Sequence, residues 1–93
     1  MYIVNNVFFS SFSEIKTDEL FEKYNKGLIQ LNIYVNSSLN QIIYLNNGVV
    51  HREGDPAIII YDNDNGQITS ELYYINGKLH RENNPAVIYY LSK

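Results

Sequence analysis

Between residues 28 and 35 the chain reads LIQLNIYV, with Ile29, Leu31, Ile33 and Val35 on one phase and Leu28, Gln30, Asn32 and Tyr34 on the other. A period of two sends successive side chains to opposite sides of an extended chain, so this stretch predicts a half-buried β-strand. Strand-like stretches recur at 39–46, 57–61, 68–75 and 86–90, with shorter returning strands at 49–53 and 78–82. Turn chemistry separates them. Asn47-Gly48 and Asn76-Gly77 predict two-residue hairpins, because a type I′ turn needs positive φ at both central positions. GDP (54–56) and NNP (83–85) predict a second turn after each hairpin, and DNDNG (62–66) predicts another between the two units.

The C-terminal half repeats itself. Residues 44–61, YLNNGVVHREGDPAIIIY, fall on 73–90, YYINGKLHRENNPAVIYY, with a shift of 29 and ten identities in eighteen positions. A fixed period of this size marks a repeat architecture, in which each unit buries its surface against its neighbour. The units span 36–64 and 65–93, and at the same shift 28–35 falls near the AIIIY strand, which makes it a degenerate third copy.

The first 27 residues have a different pattern. MYIV predicts an edge strand. TDELFEKYNKG predicts a helix, with Thr17 as N-cap, Asp18 and Glu19 in the first turn, Leu20, Phe21 and Tyr24 on one face and Gly27 as the stop. Phe8, Phe9, Phe12 and Ile15 extend its apolar surface. The expected class is α+β but mainly β: an antiparallel meander of two to three 29-residue β-repeats (28–93), capped by a short N-terminal strand and helix (1–27).

Composition narrows the function classes. Ninety-three residues make one small domain with room for a modest core. The absence of cysteine removes disulfides, thiolate chemistry and Cys-based metal sites, and a small secreted domain would usually carry such staples. The expectation is a protein of the cytoplasm of a host cell. MYIVNNVFFSSF lacks the basic and long apolar regions of a signal peptide, and no apolar run is long enough to span a bilayer. A net charge of −3 with scattered Lys and Arg argues against nucleic acid as a partner.

The phrase written twice carries the most chemistry: His51, Arg52 and Glu53, then His80, Arg81 and Glu82. One reading is catalytic, with His as general base, Arg as an anion clamp and Glu as the partner of His. The other is architectural. A reaction centre needs one set of groups, whereas every unit of a repeat needs its own joint. On that reading Gly48 and Gly77 make the hairpins, Pro56 and Pro85 fix the second turns, Glu or His accepts backbone donors there, and Arg pairs across strands. Two histidines fall short of the three or four ligands of a metal site, so no metal is expected. DNDNG also fails as a calcium loop, because placing Gly66 at position six puts Tyr61 and Leu72 where oxygen ligands belong. No phosphate loop or nucleophile elbow is present, and no cofactor is expected.

The spaced pattern Y-x-x-N-G-x-x-H-R-E-x-x-P-A-x-I-x-Y resembles the MORN-like repeats of bacterial, phage and giant-virus proteins. That resemblance covers about half the chain and implies a β-hairpin array that serves as an interaction scaffold without catalytic residues. The unit is longer than the MORN rhythm, and the charge is acidic where anionic membranes attract basic segments, so no membrane partner is expected. Tyr34, Tyr44, Tyr61, Tyr73, Tyr74, Tyr89 and Tyr90 all fall in predicted strands and cannot share one face. Exposed tyrosines make rigid, amphipathic contact surfaces. The resulting expectation is a non-enzymatic protein-binding module, of the kind a phage uses to inhibit a host or defence protein, with these tyrosines, Asp62 and Asp64 at the contact. The rival expectations are a small His-dependent hydrolase or nuclease, and a self-associating structural repeat protein that forms homo-oligomers edge to edge.

Overall fold

In the computed structural model, residues 2–4, 7–9 and 28–90 are described. They form ten strands and, among these residues, no helix: β1 Tyr2–Val4, β2 Val7–Phe9, β3 Leu28–Val35, β4 Ser38–Asn46, β5 Val49–Val50, β6 Ile58–Tyr61, β7 Ile68–Leu72, β8 Tyr74–Ile75, β9 Lys78–Leu79 and β10 Val87–Tyr89. The helix expected at 17–27 lies outside the described residues. The architecture is mainly β, a meander-like antiparallel sheet in the order β10-β7-β6-β4-β3-β1-β2. β5 lies beside β4, and β8 and β9 form a separate two-stranded ribbon.

Register explains why this pattern of residues folds flat. Val7, Val4, Leu31, Ile43, Ile58, Leu72 and Val87 are successive partners across all seven strands of that order. Among them, Leu31, Ile43, Ile58, Leu72 and Val87 form an aliphatic row across β3, β4, β6, β7 and β10. The row beside it on the same face is Ile33, Gln41, Ile60, Ser70 and Tyr89, and its register continues through Tyr2 and Phe9. Among the described residues, the buried ones are Ile29, Leu31, Pro56, Ala57 and Ser70. Cross-strand rows of branched apolar residues are the unit of sheet stabilisation, and they also pin register, because a slip of one residue would turn the row to the other face.

Two strand expectations need correction. MYIV was expected at an edge, yet β1 lies between β3 and β2. The strands expected at 49–53 and 78–82 end at Val50 and Leu79. The reason is that β4 shares one flank between two partners. Val49 and Val50 pair with Asn46 and Leu45, while Ile58, Ile59 and Ile60 take Ile43, Ile42 and Gln41. At the junction Tyr44 N donates to Ala57 O at 2.8 Å, so β5 has no further strand to pair with and the chain leaves the sheet at His51.

The sheet is shaped by bulges and turns. Asn40 is the extra residue where the β3–β4 register shifts, and Thr69 is the extra residue where β6–β7 shifts, 29 positions later. β3 and β4 are joined by Asn36 and Ser37 at φ 50° and 66°, the backbone of a type I′ turn.

Candidate interaction surface

Each copy of the HRE phrase begins where a short strand ends. His51 N donates to Tyr44 O at 3.0 Å, and His80 N donates to Tyr73 O at 2.9 Å. Arg52 then lies over the Tyr44 ring, 3.9 Å from its centroid, and Arg81 lies over Tyr73 at the same 3.9 Å. Arg52 Nη1 donates to Pro56 O at 3.2 Å, and Arg81 Nη1 donates to Pro85 O at 3.4 Å. The planar guanidinium suits both tasks, since it stacks on an aromatic face while its edge donates. Arg52 also stands 3.8 Å from Asp55; Asn84 occupies the matching position in the second copy. Between Arg and Pro, a left-handed backbone is needed, and Gly54 (φ 81°) and Asn83 (φ 63°) supply it.

The first copy does more than close its own turn. Val50 O accepts from Gly77 N at 2.8 Å, His51 Nδ1 accepts from Asn76 N at 3.0 Å, Arg52 N donates to Tyr74 O at 3.2 Å, and Ala57 N donates to Leu72 O at 2.9 Å. The second hairpin is thus seated on the first phrase. An accepting Nδ1 leaves the ring proton of His51 on Nε2, which faces Glu53 Oε1 at 3.7 Å. Glu53 itself projects into solvent. The phrase runs beyond the strand expected at 49–53, so strand alternation does not set where His51 and Glu53 point. Glu82 is exposed, as is His80.

Two clefts of about 620 Å³ each follow the phrases. One lies between Gln30 and Asn46 of the sheet and the first phrase; the other lies between the two phrases, with Arg52, Glu53, Tyr73, His80 and Arg81 on its walls. Their walls alternate in charge and are built from the same Tyr–Arg stacks. Among the described residues, no group of three His, Asp or Glu side chains converges to hold a metal ion.

The tyrosines divide. Tyr34, Tyr44, Tyr61, Tyr73 and Tyr74 are half-buried, and two of them carry Arg on their faces. Tyr89 and Tyr90 are exposed, at 75% and 46%. Tyr90 donates its hydroxyl to Glu71, a bond to a carboxylate that raises its pKa above the ordinary 10.0. Asp62 is turned inward on its own loop, with Oδ1 accepting from Asp64 N at 2.7 Å and Asn65 N at 3.3 Å, while Asp64 is exposed. Sequence reasoning missed Asn63, whose Nδ2 donates to Val35 O at 3.0 Å and whose Oδ1 accepts from Asn40 Nδ2 at 3.0 Å. Nothing in the local pattern distinguishes it from its neighbours in DNDNG. Comparison with protein families, curated proteins and solved structures finds no match for the chain.

Proposed function

We propose that this chain is a non-enzymatic protein–protein interaction module built from β-units of the MORN-like kind. The observation that carries the reading is how the first phrase spends its polar groups. His51 Nδ1 holds the next hairpin, and Arg52 is committed to a ring and a carbonyl, so the residues a catalytic centre would use support the sheet instead. The exposed aromatic groups of β10 and its end then offer contact area at low entropic cost. Inhibition of a host or defence protein in the cytoplasm is the form of this activity we favour, with Tyr89 and the exposed Asp64 at the contact.

The repeat organisation belongs to the same reading. In the unit scheme, 1–27 caps the array and 28–93 carries it. β3 stands to β4 as β6 stands to β7: the matching pairs are shifted by 29 on one strand and by 27 on the other. Four residues connect the paired Tyr34 and Leu39 where six connect the paired Tyr61 and Ile68, which accounts for the difference and makes β3 a shortened third copy.

The test is capture from host lysate with the wild-type chain and with Tyr89→Ser, followed by purification of the captured protein and calorimetric titration. The reading expects saturable binding that weakens about tenfold or more in the variant, the scale of an interface hot spot, at unchanged thermal stability. Hydrolysis of an ester or phosphoester that disappears in a folded His51→Ala variant would overturn it.

A further inference from the structure

The two copies of the phrase are alike in sequence and unlike in cover. In the first, Pro56 and Ala57 are buried, and Val50, His51, Ile60 and Tyr61 are half-buried. In the second, Pro85, Leu79, His80, Tyr89 and Tyr90 are exposed and Ala86 is half-buried. What covers the first copy is the unit that follows it: β7 pairs along β6, and the Asn76-Gly77 hairpin sits on Val50 O, His51 Nδ1 and Arg52 N. The equivalent groups of the second copy are Leu79 O, His80 Nδ1, Arg81 N and Ala86 N, and none meets a partner among the described residues. β10 likewise ends the strand order, with β7 on one flank and no described strand on the other.

We propose that this C-terminal edge is an acceptor site for a β-hairpin of a partner protein: a strand that runs into an Asn-Gly turn. The inference rests on the interaction reading above and names the partner's chemistry. The seated hairpin inside the molecule defines what fits. Ser70, small and buried, lies opposite Ile60; Leu72 lies opposite Ile58; Asn76 and Gly77 supply the two donated amides. Gly77 takes φ 79°, so a partner's type I′ turn favours glycine at this position; a Cβ there would also meet Val49 Cγ1 at 3.0 Å inside the molecule, and Lys78 stands at the place of Val49 in the second copy. The partner segment therefore reads small-x-aliphatic-x-x-x-Asn-Gly, the spacing of Ser70 to Gly77. Backbone pairing to an open edge provides affinity, and the side-chain pattern provides selectivity. Because the site continues an interface the molecule already makes, a hairpin fits it better than a lone strand, which would leave Leu79 O, His80 Nδ1 and Arg81 N unmet.

The probe is a synthetic peptide of residues 67–80, titrated into the full ¹⁵N-labelled chain. The amides of His80, Arg81, Ala86 and Val87–Tyr89 shift saturably, and the Ala86 and Arg81 amides gain protection from exchange. The same peptide with Asn76→Ala and Gly77→Ala binds about tenfold more weakly, since it loses the type I′ turn. His80→Ala in the chain, an exposed position, weakens binding about fivefold, the scale of one hydrogen bond. Shifts confined to the clefts or to β2, no shifts at millimolar peptide, or equal binding of the turnless peptide overturns the proposal. Concentration-dependent protection of these amides in the chain alone also overturns it, because a second copy then occupies the edge. If the peptide fails while a Tyr89-dependent partner still binds, the hairpin inference falls and the interaction reading stands; loss of that partner removes the interaction reading itself.

Discussion

Gly77 and Gly54 share a left-handed backbone for different reasons. Gly77 (φ 79°) is pressed against Val49, whereas a Cβ on Gly54 (φ 81°) would meet nothing within 4 Å. A left-handed conformation costs a non-glycine residue roughly 1–2 kcal/mol. Gly54→Ala should lose about that much in denaturant unfolding, and Gly77→Ala about 0.5–1 kcal/mol more, the cost of forcing a neighbour off its rotamer. Adding Val49→Ala should bring the Gly77→Ala loss back to that of Gly54→Ala; no recovery would show that the contact is unimportant. Tyr90 gives a pH prediction of definite sign. Its folded pKa lies above the unfolded value of 10.0, because its hydroxyl donates to the Glu71 carboxylate. The bond's contribution to stability is therefore fully present below pH 10.0 and lost as pH rises through the folded value. Absorbance titration should show one tyrosine ionising late, and Tyr90→Phe should remove that phase. At this scale the sequence was legible where Asn-Gly announced a turn. It was silent at Asn36-Ser37, because serine rarely takes positive φ (here 66°) and only the hairpin geometry asks it to.

At the scale of elements, alternation was the reliable signal. β3 occupies 28–35 as its pattern predicts, and the third strands of both units begin one residue after Ala57 and Ala86. What the pattern did not show is competition for a strand's flank. Residues 51–53 alternate no differently from a strand, but β6 takes the pairing positions they would need on β4. The bulges at Asn40 and Thr69 were equally hidden, since an extra residue changes register without changing composition. Between elements, Asn63 ties the 62–67 loop to the β3–β4 hairpin through Val35 O and Asn40. Asn63→Ala should cost about 1–2 kcal/mol, the range for losing two partly shielded hydrogen bonds. Amide exchange should show the loss as faster opening around 35–41. An unchanged exchange rate there would mean the tie does not hold the two turns together.

Five residues are buried among those described: Ile29, Leu31, Pro56, Ala57 and Ser70. With so few buried side chains among the described residues, the joints between hairpins carry more of the stability than in a thicker fold. This was partly readable from the phrase written twice, because chemistry placed at two equivalent positions suits a joint better than a single reaction centre. Which copy does the joining was not readable, since both carry the same His-Arg-Glu phrase and only the fold shows which one has a hairpin seated on it. His51 accepts the amide of Asn76, while His80 is exposed. The decisive measurement is thermal and denaturant unfolding of His51→Ala beside His80→Ala. The account predicts a loss of about 1 kcal/mol for His51→Ala, a fall of some 4–8 °C in Tm for a domain of this size, and a change of less than half that for His80→Ala. Equal losses in the two variants, or none in either, would contradict it.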